Sequence, residues 1–172
     1  MRSRADETTL RIRRFRQEDW PRLWQLLQTT FQAGDTYVFD DRTTEAQALD
    51  IWIRQPQVTC IAESEQGELL GTYILKPNQP GRGSHVCNAG YVVAPAARGQ
   101  GVAQRMCAHS LEEAAASGYD AMQFNFVVST NERAVRLWQH MGFAIVGTLP
   151  KAFRHASLGD VDAYVMYKRL AT

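Results

Sequence analysis

Hydrophobic and polar residues alternate from Thr9 to Arg13, a period of two that predicts an opening strand. The period then lengthens. Leu23, Trp24, Leu27 and Phe31 recur every three to four positions, which predicts a helix. Its acidic first turn, Glu18 and Asp19, complements the helix dipole, and Pro21 falls where a first turn tolerates proline. Thr44 and Gln47 have capping-box spacing, and Leu49, Trp52 and Ile53 form a second apolar stripe that Pro56 closes. Val58 to Ala62 and Leu69 to Leu75 predict two strands joined at Gln66-Gly67. Residues 77–84, Pro-Asn-Gln-Pro-Gly-Arg-Gly-Ser, predict a flexible connection. A longer strand follows from about Val86 to Val93 and stops at Pro95, which has no N–H for a sheet ladder.

Helical spacing resumes from about Gly101 to Ser117, with Ala103, Cys107, Leu111 and Ala114 on one face and Gly118 as a stop. Met122 to Val128 predicts a strand. Ser129 and Glu132 have capping-box spacing, ahead of a helix with Ala134, Leu137, Trp138 and Met141 inside and Gly142 at its end. Phe143 to Gly147 and Val161 to Tyr167 predict the closing strands, with a loop at about 150–160 between them. The order β-α-α-β-β-β-α-β-α-β-β predicts one α/β (α+β) domain over residues 1–172, a mixed twisted sheet of six to seven strands with helices on both faces.

Composition narrows the function. At 45% hydrophobic and 22% charged residues, a chain of 172 can bury a core unaided. Its 19 basic and 18 acidic residues nearly cancel, which excludes a general attraction to nucleic acid or membrane. The basic start, Arg2, Arg4, Arg11, Arg13, Arg14 and Arg16, is interrupted by Asp6 and Glu7 and is read as a solvated strand face. No run approaches the roughly 20 apolar residues of a membrane span, and no signal-like stretch opens the chain. Cys60, Cys87 and Cys107 form no CxxC and are read as reduced, core-packed thiols of a cytoplasmic protein. His85-x-Cys87 lacks further ligands at metal spacing, so no metal is expected.

The chemistry concentrates in Tyr91-Val92-Val93-Ala94-Pro95-Ala96-Ala97-Arg98-Gly99-Gln100-Gly101-Val102-Ala103, where a strand ends, a glycine-rich turn follows and a helix begins. Glycines let the backbone turn tightly and approach a ligand, and a helix start offers unpaired N–H groups to a phosphate. Arg98 adds a charge. The glycines by themselves fit a plain strand-to-helix connector equally well. A dinucleotide fingerprint would need a small residue at Gln104, and no Gly-Lys-Ser/Thr of a P-loop is present.

Arg98-x-x-Gly101-x-Ala103 resembles the [Gln/Arg]-x-x-Gly-x-[Gly/Ala] signature of the GNAT (Gcn5-related) N-acetyltransferases. A second element of that family stands downstream as Asn131-x-x-Ala134-x-x-Leu137-Trp138-x-x-Met141-Gly142-Phe143. The resemblance extends to the order of elements. It implies acetyl-CoA as cosubstrate, its pyrophosphate on Arg98, Gly99, Gln100, Gly101, Val102 and Ala103, and its pantetheine arm between strands 86–93 and 122–128. Backbone groups of Tyr91 and Val93 would bind the arm, an N–H near Val92 or Val93 would polarise the thioester, and Asn131 would meet the CoA arm. Many members carry a tyrosine where this chain has Trp138, whose indole N–H is no practical acid.

Asn88, Asn125 and Asn131, with Phe124 to Phe126 and the tail Leu149 to Phe153, resemble more narrowly the branch that contains the yeast proline-analogue acetyltransferase. That likeness implies substrate binding for Asn88 and stabilisation of the reacting centre for Asn125; a satisfied core amide is the bland alternative for Asn125. The expected reaction is direct attack by a small-molecule amine or amino acid, with a peptide amine or a non-catalytic acyl-CoA-binding module as alternatives. Tyr37, Asp40, Asp41, Arg154 and His155 are acceptor-side candidates, and His85 and His109 are candidate bases. Folds with exposed C-terminal strands commonly dimerise, which makes a homodimer the assembly to look for.

Overall fold

The opening alternation forms β1 (Leu10–Arg14), the edge of a seven-stranded sheet in a computed structural model that describes residues 9–171. Arg2 and Arg4 lie outside the described residues. A 3-10 turn leads into α1 (Trp20–Ala33), which ends at Gly34 in the left-handed region. The Thr44–Gln47 box forms reciprocally: Thr44 Oγ1 accepts from Gln47 N at 3.2 Å, and Gln47 Oε1 accepts from Thr44 N at 2.9 Å. It opens α2 (Glu45–Leu49), which widens to a π-helical turn over Asp50–Arg54. The strands β2 (Val58–Ser64), β3 (Leu69–Pro77) and β4 (Val86–Val93) then pair antiparallel. α3 (Val102–Ala116), β5 (Ala121–Val128) and α4 (Glu132–His140) follow, and β6 (Ala144–His155) and β7 (Gly159–Arg169) close the chain as a hairpin. The sheet order is β1-β2-β3-β4-β5-β7-β6.

Three sequence expectations are corrected. β6 runs to His155 instead of ending at Gly147, so the loop at 150–160 shrinks to a turn. Pro150 is tolerated because β6 is an edge strand, and the bulge between Leu149 and Phe153 takes Lys151 to a φ of 49°, its N–H donated to Asp162 at 2.9 Å. Asn131, not Ser129, caps α4, its Oδ1 accepting from Ala134 N at 3.3 Å. Arg13 is half-buried instead of solvated. It grips Asp19 through two bonds of 2.8 and 2.9 Å and Glu63 at 2.9 Å, while Arg22 closes the network on the same two carboxylates. Asp19, only 2% exposed, therefore ties β1 to α1 as well as facing the helix dipole.

Two cores sandwich the sheet. One lies against α3 and α4 and contains Cys87, Ala89, Met106, Cys107, Met122, Phe124 and Trp138. The other lies against α1 and α2 and contains Leu23, Leu27, Phe31, Trp52, Ile74 and Val92. β4 feeds both faces by simple alternation, which makes it the centre of the molecule. All three cysteines are buried and unpaired.

Candidate active site

β4 and β5 run parallel but pair only at Val86↔Ala121, Cys87↔Met122 and Asn88↔Gln123. Beyond Asn88 the strands separate. The parting opens a cleft of about 670 Å³, walled by Gly90 to Val93 on one side and Phe124 to Val128 on the other. At its far end Gly101 is the N-cap of α3; its φ of 78° is left-handed, and a Cβ in its place would have nothing within 4 Å. No side chain caps this helix start, and its first ladder bond is Arg105 N to the Gly101 carbonyl at 3.1 Å. The Val102, Ala103 and Gln104 amides of the first turn are thus left to an outside acceptor, and a glycine keeps the approach clear. Such a cradle fits a phosphate group.

Arg98, Gly99, Gly101, Val102 and Ala103 all line the cleft with Asn131. Gln100 does not: its side chain turns back to donate to the Ala96 carbonyl at 2.9 Å. Sequence reasoning missed Arg133. Its Nη2 lies 3.1 Å from the position a Gly99 Cβ would take, so a second guanidinium joins Arg98 at the anion end. Its place in the first turn of α4, two residues after Asn131, was the available signal.

Tyr37, Val92 and Val93 also line the cleft. The Tyr37 hydroxyl donates to the Tyr91 carbonyl at 2.9 Å and occupies the space left by Gly90, where a Cβ would come within 3.1 Å of it. Burial pushes the Tyr37 phenol above its ordinary range, so it stays protonated as a donor. The Tyr91 carbonyl expected to serve only the cosubstrate therefore already holds one internal bond; a carbonyl oxygen can accept a second. The Tyr91 hydroxyl points elsewhere and bonds Ser110 Oγ at 2.6 Å. Trp138 packs its ring 4.9 Å from Tyr91 and 5.0 Å from Phe124, as a wall residue.

Hydrogen bonds tie together amide residues beside the cleft, of which Asn88 and Asn125 line it. Asn88 donates to the Gln123 carbonyl at 3.0 Å, Gln123 donates to Asn125 Oδ1 at 2.9 Å, and Asn125 donates to Asn78 Oδ1 at 2.7 Å. Asn125 is exposed at the cleft, so the core-amide alternative does not describe it.

Several acceptor candidates are placed elsewhere. Asp40 borders a separate surface depression with Arg42, Asp50 and Arg54, and Asp41 lines neither hollow. Arg154 pairs with Asp160 at 3.0 Å on the exposed hairpin, and His155 Nδ1 accepts from Ser157 N and Leu158 N inside its turn. His85 is exposed before β4, outside the cleft lining. His109, on α3 and outside the cleft lining, bonds the Tyr73 hydroxyl through Nδ1 at 2.7 Å. Burial pushes the Cys87 and Cys107 thiols up to about 12, which keeps both protonated and poorly nucleophilic. Among the described residues no group of three or more His, Cys, Asp or Glu is arranged to hold a metal, and no helix is long and apolar enough to cross a membrane.

Residues 20–143 match the Acetyltransferase (GNAT) family. The chain belongs to that family. It is 33% identical over 150 residues to the N-acetyltransferase aca1 of Schizosaccharomyces pombe, spanning 78% of this chain and 72% of the relative. A GCN5-related N-acetyltransferase from Kribbella flavida has the same fold, with a TM-score of 0.89 at 40% identity over 94% of this chain and 98% of that one. A phosphinothricin acetyltransferase from Sinorhizobium meliloti, solved in complex with AcCoA, superposes with a TM-score of 0.84 over 95% of this chain and 89% of its own. Its 15% identity carries the fold alone. The enzyme is thus an acyltransferase built on a mixed sheet whose parted strands form the cleft.

Proposed function

We propose that the protein transfers acetyl from acetyl-CoA to a primary or secondary amine of a small molecule or amino acid, by direct attack. The observation that carries this reading is the parting of β4 and β5 beyond Asn88, with the glycine-opened start of α3 at its end. Arg98, Arg133 and the amides from Val102 to Gln104 suit the phosphates of a CoA, and the cleft suits an extended arm. Bound there, acetyl-CoA supplies a thioester: its C–S bond breaks, a C–N bond forms, and the nitrogen loses a proton while the sulfur gains one.

The chain's own residues do the rest. The unpaired β4 edge beyond Asn88 offers N–H groups, that of Val93 among them, to a carbonyl oxygen that gains charge, whereas the Val92 N–H faces β3 as the Ala94 N–H does. Asn125 presents its amide at the cleft, held in orientation by Gln123 and Asn78, and is read as steadying the reacting centre; Asn88 is read as binding the acceptor. The raised, buried Cys107 thiol supports a direct transfer over an acyl-cysteine. The same reading places the enzyme in the cytosol, supported by its three unpaired buried cysteines. It also makes it a homodimer, supported by the exposed Val146 and Leu149 on edge strand β6.

The experiment is thiol release from acetyl-CoA across amino acids, polyamines, aminoglycosides and short peptides, beside thermal melts with acetyl-CoA, NAD and ATP. A rise in melting temperature with acetyl-CoA alone, and amine-dependent thiol release, are expected. Stabilisation without release from any amine would instead favour a CoA-binding module.

A further inference from the structure

Two backbone bonds fix which way each β4 residue faces. Ala94 N donates to the Leu70 carbonyl at 2.8 Å, and Asn78 N donates to the Val86 carbonyl at 2.8 Å. In an antiparallel pair the facing alternates, so Gly90 and Val92 also turn their N–H and C=O groups to β3. Those of Tyr91 and Val93 turn toward β5, where the ladder has already ended at Asn88. In chain order the open edge presents the Tyr91 N–H, the Tyr91 carbonyl and the Val93 N–H. Two donors that suit an oxyanion thus flank an acceptor whose lone pairs repel one.

Tyr37 covers that acceptor. Its hydroxyl donates to the Tyr91 carbonyl at 2.9 Å, reaching it from the segment between α1 and α2. It passes over Gly90, where a Cβ would stand 3.1 Å from the hydroxyl oxygen. Glycine inside a strand is otherwise unfavourable, and this close approach gives it a reason. The Tyr37 ring is fixed among aromatic neighbours, its centroid 6.1 Å from Phe31, 5.9 Å from Phe39 and 5.8 Å from Trp52. The start of the segment is tied down as well, Ala156 N of the β6–β7 turn donating to the Gly34 carbonyl at 3.2 Å. Burial keeps the phenol protonated, so the hydroxyl remains a donor.

We infer that Tyr37 is a positioning residue for acetyl transfer: by covering the Tyr91 carbonyl it lets the open β4 edge meet the thioester oxygen with donors alone. The inference rests on the acetyltransferase reading and adds to it a residue that acts through the backbone. As the amine nitrogen bonds to the thioester carbon, the π electrons of the carbonyl move onto its oxygen. They return when the C–S bond breaks and the sulfur leaves with that bond's electron pair. The nitrogen then gives up a proton and the sulfur takes one up. Tyr37 keeps its own proton throughout and serves only the interval in which the oxygen is charged.

The test uses two CoA thioethers that differ by one charge, S-carboxymethyl-CoA and S-carbamoylmethyl-CoA, titrated calorimetrically into the full chain. The first sets a fixed negative charge beside the sulfur, and the second is its neutral match. Tyr37→Phe keeps the ring and removes the hydroxyl. It should weaken the carboxylate relative to the carboxamide by about five- to tenfold, the weight of one hydrogen bond. With the amine that releases thiol fastest, kcat should fall by a similar factor, while the KM for acetyl-CoA and the melting temperature change little. A merely structural role would lower the melting temperature and leave the carboxylate-to-carboxamide ratio and kcat alone. Gly90→Ala crowds the same hydroxyl and should move the ratio in the same direction, which serves should Tyr37→Phe be unstable. An unchanged ratio or an unchanged kcat in folded Tyr37→Phe overturns the inference and leaves the acetyltransferase standing. A wild-type chain that binds neither thioether, or releases thiol with no amine, overturns both.

Discussion

Replacing Gly101 by aspartate and by asparagine separates a phosphate cradle from a mere connector. Both side chains have room, because nothing lies within 4 Å of the new Cβ, and both bear the same strain at a φ of 78°. That strain is about 1 kcal/mol and cancels in the comparison. The two differ only in charge. In the free protein the aspartate faces the positive end of α3 and should leave the melting temperature at or above that of the asparagine variant. Toward a bound phosphate the sign reverses. Two unit charges about 4 Å apart at an effective dielectric of about 20 repel by about 4 kcal/mol. At a helix start open to solvent and salt, about 1–2 kcal/mol survives, or about 5- to 30-fold in affinity. Calorimetric titration with acetyl-CoA at low and high salt measures it. Gly101→Asp should bind at least fivefold more weakly than Gly101→Asn, with the gap narrowing as salt rises. Equal affinities in two folded variants would refute the cradle.

Asn125→Ala should lower kcat about a hundredfold, the effect of roughly 3 kcal/mol of lost stabilisation, with acetyl-CoA affinity and melting temperature nearly unchanged because Asn125 is exposed; steady-state kinetics beside melts decide it. Cys107→Ala should keep kcat within about threefold and show no acyl-enzyme by mass spectrometry, since the buried, raised thiol takes no part. Asp19→Asn should cost about 1.5–3 kcal/mol in urea unfolding by leaving Arg13 and Arg22 to share the single carboxylate of Glu63. Burial by itself would raise the Asp19 pKa, yet the bonds from Arg13 and Arg22 outweigh it and hold the carboxyl far below its usual range. The Arg13 bond likewise lowers Glu63. Depressed carboxyls stabilise the fold above their unfolded pKa near 4. Wild-type stability should therefore fall as pH drops from about 4 toward 2, and Asp19→Asn should flatten that fall.

Periodicity and punctuation determined most of the architecture: the alternation at Thr9–Arg13, the stripe from Leu23 to Phe31 and the Thr44–Gln47 box each act within a few residues, and local rules read them. The glycine turn before α3 was legible for the same reason, since a left-handed backbone at Gly99 and Gly101 is a property of the residue itself. Where two local rules competed, only the fold chose. Ser129 and Asn131 both offer a cap, and the exit of the chain from β5 gave the helix to Asn131. Pro150 looked like the end of a strand until the sheet order made β6 an edge, where a missing N–H costs nothing. Arg13 carries no mark that separates it from Arg11, yet pairing β1 with β2 sets it beside Glu63 and Asp19. The lining of the cleft was least legible. Asp35 sits in a loop and Lys76 at the end of a strand, each an ordinary surface residue by sequence, and a spacing rule cannot place either. That requires knowing which side chains share a cleft, and both of these line the one that opens where β4 parts from β5.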